Sequence, residues 1–315
     1  MKIDVYSHIM PERYLAAYRE KTKLGSEIRG PRENKALYEI DVRLRVMDRY
    51  PDVVQVLTMG FSALETLPPS DAVELARIAN DELAELLVRY PDKFIAAVAC
   101  LPLNDMDAAL EEADRAITQL KLKGVQIFTN INGELLDLPK FRPLYEKMAN
   151  YDLPIWIHPR VDSKRRETLS TFEGVSPFDQ ETASAMMQLV SAGIFQDYPD
   201  IKFITHHCGG ITPILVGRIR WTFPRIVGEG HIRNPIEHLR KFYNDTAVSG
   251  STAALMCGYD FFGADHLLFG TDAPLGPSFG LTRETIYSVE QMDIPDIDKE
   301  KIFERNAVKL LRLEI

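Results

Sequence analysis

The sequence predicts an α/β protein folded as a (β/α)8 TIM barrel, and three observations support this. Short runs rich in β-branched and aromatic residues alternate with longer segments of helical period, which is typical of βαβ units around a parallel sheet. Eight such runs can be counted, the number that closes a barrel. The chain of 315 residues is long enough for one barrel of about 250 residues with extended loops.

The eight predicted strands are short and rich in strand-forming residues. They are Ile3–His8, Val53–Met59, Phe94–Leu101, Val125–Phe128, Pro154–His158, Lys202–His207, Phe242–Ala247 and Leu267–Asp272. An open Rossmann-type sheet would have a glycine-rich turn after its first strand. Here the first strand ends in Tyr-Ser-His-Ile-Met-Pro, without glycine, so a closed barrel is favoured.

The segments between the strands carry helix signals. Ser70–Arg89 offers Ser70 or Asp71 as N-cap and keeps apolar residues three to four positions apart. Pro139–Asn150 has proline at its start, where a helix needs no N–H donor. The same period predicts helices in Met106–Lys121, Gln180–Tyr198 and Thr212–Trp221.

We expect residues 1–315 to form a single barrel domain with loop insertions. The connections near 21–36, 160–179 and 223–240 are longer than a barrel requires. The first two follow the carboxyl ends of predicted strands, where barrel active sites are built. They are candidates for a lid or for specificity loops, and ordinary solvated insertions are the alternative.

The composition excludes several classes of protein. It is 45% hydrophobic and 26% charged, with a net charge of −9, which excludes disordered, collagenous and coiled-coil chains. An acidic chain lacks the positive surface of a nucleic-acid-binding protein and is repelled by anionic membranes. Three widely spaced cysteines argue against disulfides and for a reducing compartment. We therefore expect a cytoplasmic protein that binds neither nucleic acid nor membrane.

Polar side chains concentrate at the ends of the predicted strands. His8 closes the first strand, His158 the fifth and Asp272 the eighth. The sixth strand ends in two adjacent histidines, His206 and His207. The carboxyl ends of all strands meet at one rim of a barrel, so these side chains should converge. Neutral imidazole and carboxylate together suit Zn²⁺ or Mn²⁺, and we predict a metal site there.

Only one histidine of the adjacent pair is expected to face this rim. Successive residues of a strand point to opposite sides, so both His206 and His207 could enter the mouth only if the strand end bends. Asp245 closes the seventh strand and could orient a ligand histidine or simply hydrogen-bond within the barrel. A single histidine at a strand end is more often structural than a metal ligand. The predicted metal site therefore depends on several such side chains meeting at one rim of the barrel.

The ordered set of motifs resembles the amidohydrolase superfamily, in particular the branch of aminocarboxymuconate semialdehyde decarboxylase and γ-resorcylate decarboxylase. The motifs are IDVYSH near the start, IWIHP at 155–159, FITHHCGG at 203–210 and FGTDAP at 269–274. The resemblance covers nearly the whole chain. It implies a TIM barrel of the metal-dependent hydrolase type with one divalent metal ion, most simply Zn²⁺, with Mn²⁺ as the alternative. Many members are non-oxidative decarboxylases, and others hydrolyse lactones or C–C bonds.

The resemblance also implies roles for individual residues. His8, His158 and Asp272 would bind the metal, and Asp272 would also carry a proton. His207, which precedes Cys-Gly-Gly, would be the catalytic histidine. Binuclear members use a carboxylated lysine at the end of the fourth strand, and the matching segment GVQIFTN ends without one. One metal ion is therefore expected rather than two.

Tyr6 departs from the family pattern. The family usually has histidine, or in some decarboxylases glutamate, two residues before the first-strand ligand, which here is His8. A phenol with a pKa near 10 is a poor ligand at neutral pH unless the metal lowers that value. We count Tyr6 among the substrate-binding candidates. The alternative is that its ring packs or hydrogen-bonds at the floor of the barrel.

Three further residues are candidates for binding the substrate. Arg160 lies two residues after His158, and its guanidinium could bind a carboxylate through two hydrogen bonds. Glu181 matches a family glutamate near the pocket, with a helix-start role as the alternative. Arg218 matches a family arginine that reaches the neighbouring subunit's site, which implies a homodimer. The alternative for both arginines is an ordinary surface position.

These observations support three hypotheses of function. The first is a metal-dependent non-oxidative decarboxylase of a small aromatic or unsaturated carboxylic acid. The second is a metal-dependent hydrolase of a lactone, amide or C–C bond that uses the same site. The third is a metal-free binding scaffold, which Tyr6 keeps open.

Overall fold

The computed structural model describes residues 1–22, 34–60, 64–161, 170, 176–227, 232, 234–277 and 280–315. It confirms an α/β fold of parallel strands and surrounding helices. The strands are β1 Lys2–His8, β2 Val53–Thr58, β3 Phe94–Ala97, β4 Ala99–Cys100, β5 Val125–Phe128, β6 Asn130–Ile131, β7 Glu134–Leu135, β8 Ile155–His158, β9 Phe203–Thr205 and β10 Tyr243–Asn244. Among the described strands only β6 and β7 pair antiparallel, as a small hairpin that the sequence did not predict.

The parallel strands follow one another around the sheet in chain order. β1, β2 and β3 are neighbours, and so are β4, β5, β8, β9 and β10. The two groups are continuous, because only Val98 separates β3 from β4. The Val98 N–H donates to the Leu57 carbonyl at 3.0 Å, and the Ala99 N–H donates to the Gly124 carbonyl at 2.9 Å.

The segment predicted as the eighth strand, Leu267–Asp272, forms only an isolated bridge between Leu267 and Asn244 rather than a regular strand, but it lies between the two ends of this sheet. The Leu268 N–H donates to the Asn244 carbonyl of β10 at 2.8 Å. On the other side, the Val5 N–H of β1 donates to the Phe269 carbonyl at 2.9 Å. These bonds connect the seventh and first barrel positions, as a TIM barrel requires.

Helices surround the sheet, and the chain also ends in helical segments. Their bounds are Glu12–Thr22, Ile40–Met47, Pro69–Arg89, Met106–Thr118, Arg142–Tyr151, Pro177–Ser191, Ile194–Asp197, Val216–Val227, Pro235–Leu239, Thr252–Phe262, Thr282–Glu290, Asp296–Glu300 and Asn306–Leu311. The predicted helix over 180–198 is divided at Gly193, whose φ of 73° lies in the left-handed region. None of the described helices is both long enough and apolar enough to cross a membrane.

Trp156 shows how the inside of the barrel is filled below the rim. Its indole N–H donates to the Val5 carbonyl at 3.1 Å, which joins two strands, β8 and β1, that are not neighbours in the sheet. Apolar side chains from the other strands pack in the same cluster, among them Val56, Val98 and Ile204. The packed interior leaves the polar strand ends as the place for chemistry.

The long connections contain most of the residues outside the described ranges. Residues 23–33 fall in the loop predicted near 21–36, and residues 162–169 and 171–175 fall in the loop near 160–179. Residues 228–231 and 233 belong to the connection near 223–240. The lid and specificity roles of these loops stay predictions, and so does the single-domain organisation.

Candidate metal centre

Four side chains come together at the rim. Three lie at the ends of strands, and the fourth, Asp272, ends the segment predicted as the eighth strand. His8 is the last residue of β1, His158 is the last of β8, and His206 directly follows β9. The Nε2 atoms of His8 and His206 lie 2.9 Å and 3.2 Å from the same Asp272 Oδ1. One ring nitrogen from each of His8, His158 and His206 lies within 4.8 Å of the others. All three imidazoles are buried.

Each imidazole is held through its Nδ1 atom. Thr58 Oγ1 forms a 2.9 Å hydrogen bond with His8 Nδ1, and His158 Nδ1 donates to the adjacent backbone carbonyl of Pro159 at 2.8 Å. His206 Nδ1 donates to the Asp245 carboxylate. Such contacts fix the ring and leave Nε2 to face a common centre, the arrangement typical of metal-binding histidines.

Asp245 is itself fixed by backbone groups. Its Oδ1 accepts from the N–H groups of Cys208 at 3.2 Å and Ala247 at 3.0 Å. This leaves Oδ2 for His206. The position of Asp245 at the end of the seventh barrel strand therefore orients the histidine that ends the sixth.

The end of the sixth strand bends, so both adjacent histidines face the rim. His207 and Cys208 have φ values of 56° and 54°, in the left-handed region. Such a backbone breaks the rule that successive side chains of an extended strand point to opposite faces. The rings of His206 and His207 stack with their centroids 4.0 Å apart. The strand end therefore bends, which is the condition under which both histidines enter the mouth, and His206 becomes a candidate site residue beside His207.

Asp272 also has an unusual backbone. Its φ is 63°, a conformation that costs about 1–3 kcal/mol outside glycine and is common at functional sites. Its N–H donates to the Tyr6 carbonyl at 3.1 Å. The preceding Thr271 is tied to the buried Asp4 carboxylate, which accepts the Thr271 N–H at 3.0 Å and the hydroxyl at 2.5 Å. These bonds hold the turn that presents the Asp272 side chain.

Burial and neighbouring charges set the protonation of the centre. Burial lowers the pKa of His8 and holds the pKa of His158 well below its ordinary value. Burial alone would lower the pKa of His206, but the carboxylates of Asp245 and Asp272 raise it to about 10. Burial would raise the pKa of Asp272, but the adjacent histidines, His206 first, hold it well below its ordinary value. The neutral imidazoles of His8 and His158 beside the ionised Asp272 carboxylate form a donor set that fits a divalent transition metal.

His207 connects this centre to a cavity of about 440 Å³. Burial lowers the pKa of His207 to about 4, so its imidazole is neutral at pH 7. The cavity is also lined by Phe178, Asp179, Ile211, Ala247 and Ser249. Its volume lies within the range of about 300–1,000 Å³ that small-molecule sites occupy.

Tyr6 lies against the centre and is fully buried. Its ring stacks on His206 with the centroids 4.0 Å apart and the planes 19° apart. Its hydroxyl has no hydrogen-bond partner among the described residues. Burial, followed by the charges of Asp245 and Asp272, raises the pKa of this phenol well above its ordinary value.

The other predicted substrate-binding residues lie in three different settings. The Arg160 guanidinium pairs with the buried Glu65 carboxylate and lies over the Phe128 ring at 5.7 Å. Glu181 is half-buried in the helix Pro177–Ser191, which also contributes Asp179 to the cavity. Arg218 is exposed in the helix Val216–Val227. Among the three, Arg160 lies nearest in sequence to a centre residue, His158.

Histidines and a carboxylate converging at the carboxyl ends of barrel strands define a metal-dependent barrel enzyme. The chain belongs to the amidohydrolase family, whose sequence profile matches residues 3–313. This confirms the family resemblance drawn from the four motifs.

Two relatives belong to the branch that the motifs indicated. The 2-amino-3-carboxymuconate-6-semialdehyde decarboxylase of Dictyostelium discoideum is 28% identical over 340 aligned residues, with 100% of this chain and 92% of the relative covered. The gamma-resorcylate decarboxylase of Rhizobium radiobacter is 31% identical over 87% of each chain. Both relatives are enzymes named for decarboxylation.

A solved structure also shares the fold over the whole chain. It is a dihydroxybenzoic acid decarboxylase from Polaromonas sp. JS666 with bound manganese and the inhibitor 2-nitroresorcinol. The TM-score is 0.81 at 26% sequence identity, with 100% of this chain and 97% of that chain covered. This agreement confirms the TIM-barrel fold of the present chain.

Proposed function

We propose that this protein is a metal-dependent non-oxidative decarboxylase of a small aromatic carboxylic acid. The observation that carries the proposal is the convergence of His8, His158, His206 and Asp272 beside a cavity large enough for such a substrate. The relatives named above are decarboxylases. A metal-free scaffold would have no need for convergent, individually oriented imidazoles.

His8, His158 and Asp272 would hold one divalent ion. When bound, it supplies Lewis-acid chemistry, because it draws electron density from a substrate carboxylate and a neighbouring oxygen. Imidazole-rich sites favour Zn²⁺, whereas the Polaromonas enzyme contains manganese. Metal content per chain, measured by elemental mass spectrometry on protein purified without added metal, decides between them.

The proton that replaces the carboxylate would pass through Asp272. Its carboxylate is ionised at rest, so it can accept a proton from a substrate hydroxyl or water and deliver it to the ring carbon. The bond from that carbon to the carboxylate then breaks, and carbon dioxide leaves. His207 is neutral and lines the cavity, so it would position or relay this proton.

The remaining predicted residues would bind and shape the substrate. Tyr6 would form a wall beside His206, and Glu181 would act near the cavity from its helix. Arg160 could bind a substrate carboxylate only by sharing or leaving its contact with Glu65. Arg218 is exposed on its own subunit, which suits the expected role at a neighbouring subunit's site in a homodimer. A cytoplasmic location stays a prediction from composition.

One experiment separates decarboxylation from hydrolysis at the same centre. Protein with one equivalent of metal is incubated with a panel of hydroxybenzoates, scored for carbon dioxide, and with a panel of lactones, scored for acid. We expect carbon dioxide from at least one hydroxybenzoate and its loss in Asp272→Asn. Acid release from lactones, without carbon dioxide from any hydroxybenzoate, would support the hydrolase instead.

A further inference from the structure

The surroundings of His206 hold its side chain in one orientation. Its ring lies between Tyr6 and His207, and both centroid separations are 4.0 Å. The interplanar angles are 19° and 24°, so the two neighbours cover the ring faces and only the ring edge, with its two nitrogens, faces polar groups. Nδ1 binds Asp245 and Nε2 points to Asp272. A residue that must swing between positions would not be enclosed in this way.

The three imidazoles are spaced as they would be around one ion. Their ring centroids are separated by 5.0 Å for His8 and His158, 5.5 Å for His158 and His206, and 5.6 Å for His8 and His206. For a tetrahedral ion with metal–nitrogen distances of about 2.0–2.1 Å, each centroid lies about 3.2 Å from the metal, so pairs are about 5.2 Å apart. The observed triangle is close to this value on all three sides.

The donor atoms support the same arrangement. Around a tetrahedral ion, donor atoms are about 3.3 Å apart. Asp272 Oδ1 lies 2.9 Å from His8 Nε2 and 3.2 Å from His206 Nε2. The two histidines therefore approach this oxygen in equivalent ways, although only His8 belongs to the ligand set predicted from the sequence.

We infer that His206 is a fourth metal ligand and supplies from the sixth barrel strand what position 6 of β1, occupied by Tyr6, does not supply. His206 would release its proton when the ion binds, and the substrate would enter as a further ligand, because catalytic zinc can expand beyond four ligands. This inference rests on the proposed metal-dependent function. Asp245 is then a positioning residue, which fixes the His206 tautomer and ring plane. Tyr6 acts as a packing partner that covers one face of this ligand.

Metal binding tests this directly, without measuring activity. Wild-type protein, His206→Ala and Asp245→Asn are stripped with chelator and titrated with Zn²⁺ alone in competition with a chromophoric chelator. Loss of an outer partner weakens binding by about 10–100-fold, and we expect this from Asp245→Asn and a larger loss from His206→Ala. The matched control is His238→Ala, because His238 stacks on Phe195 outside the centre, and its affinity should equal that of wild type.

Two further measurements keep the test independent of folding defects. X-ray absorption of zinc-loaded wild-type protein should indicate three imidazole ligands, and a value of two would overturn the inference. Adding Tyr6→His to His206→Ala should restore binding, because residues 6 and 8 lie on the same face of β1.

The outcomes distinguish this inference from the function on which it rests. If the wild-type protein takes up no ion, the proposed metal-dependent function fails. If it binds one ion and a folded His206→Ala binds as tightly, only the ligand assignment fails. Loss of activity in His206→Ala with unchanged affinity would make His206 a group that acts on the substrate, which also contradicts the assignment.

Discussion

Replacing Arg160 with alanine should destabilise the protein through Glu65. The Glu65 side chain is 1% exposed and that of Arg160 is 21% exposed. The pair joins the turn Leu64–Thr66 to the end of the fifth barrel strand. Truncating Arg160 leaves the carboxylate buried without its cation and removes the guanidinium from the Phe128 ring.

The expected loss in the free energy of unfolding follows from the burial of this ion pair. Breaking a fully buried ion pair by removing one partner costs about 3–5 kcal/mol. Arg160 is partly accessible to water, so we expect about 2–3 kcal/mol, measured as a lower midpoint of urea unfolding at unchanged slope. Glu65→Gln in the Arg160→Ala background removes the unpaired charge and should recover most of the loss.

The loss should depend on pH in a defined direction. Burial raises the pKa of Glu65 above its ordinary value even beside Arg160, and removing the cation raises it further. The folded state then binds a proton that the unfolded state has released, so stability falls as pH rises above the ordinary glutamate pKa. Arg160→Ala should therefore cost less at pH 5 than at pH 8. Equal losses at both values, or no recovery in the double variant, would refute this reasoning.

Three other predictions concern the centre and the proposed homodimer. Asp272→Asn should lower carbon dioxide release by at least about 10²–10⁴-fold, the usual contribution of proton transfer, which steady-state rates at saturating substrate will measure. Chelation should abolish the activity, and added Zn²⁺ or Mn²⁺ should restore it; activity that persists in metal-free protein would count against the proposal. Arg218→Ala should be inactive yet stable. If the sites form across a twofold dimer, refolding this variant in equal amounts with Asp272→Asn should recover about a quarter of wild-type activity, because half of the dimers are mixed and each mixed dimer has one intact site. No recovery would mean that Arg218 does not act across subunits.

The strand ends of the centre were predictable from sequence. His8, His158 and Asp272 each follow a short apolar run, and the parallel order brings all carboxyl ends to one rim. Distance along the chain does not matter for such residues, because the barrel topology alone brings them together. The order of the four motifs along the chain indicated the same residues.

His206 and the partner of Arg160 were not predictable by the same rules. The alternation rule assumes an extended backbone, and the left-handed conformations at His207 and Cys208 break it. The available signal was the doubled histidine before Cys-Gly-Gly, with Asp245 at the end of the next strand. Glu65 lies 95 residues before Arg160, and no local pattern indicates that they pair.

The most direct test of the account is carbon dioxide release from carboxyl-labelled hydroxybenzoates. It is measured on protein that holds one equivalent of metal, and again after the metal is removed. We predict release of labelled carbon dioxide from at least one member of the panel, lost with the metal and recovered on its return. Metal-loaded protein that releases none from any member, or release that continues unchanged without metal, would contradict a metal-dependent decarboxylase.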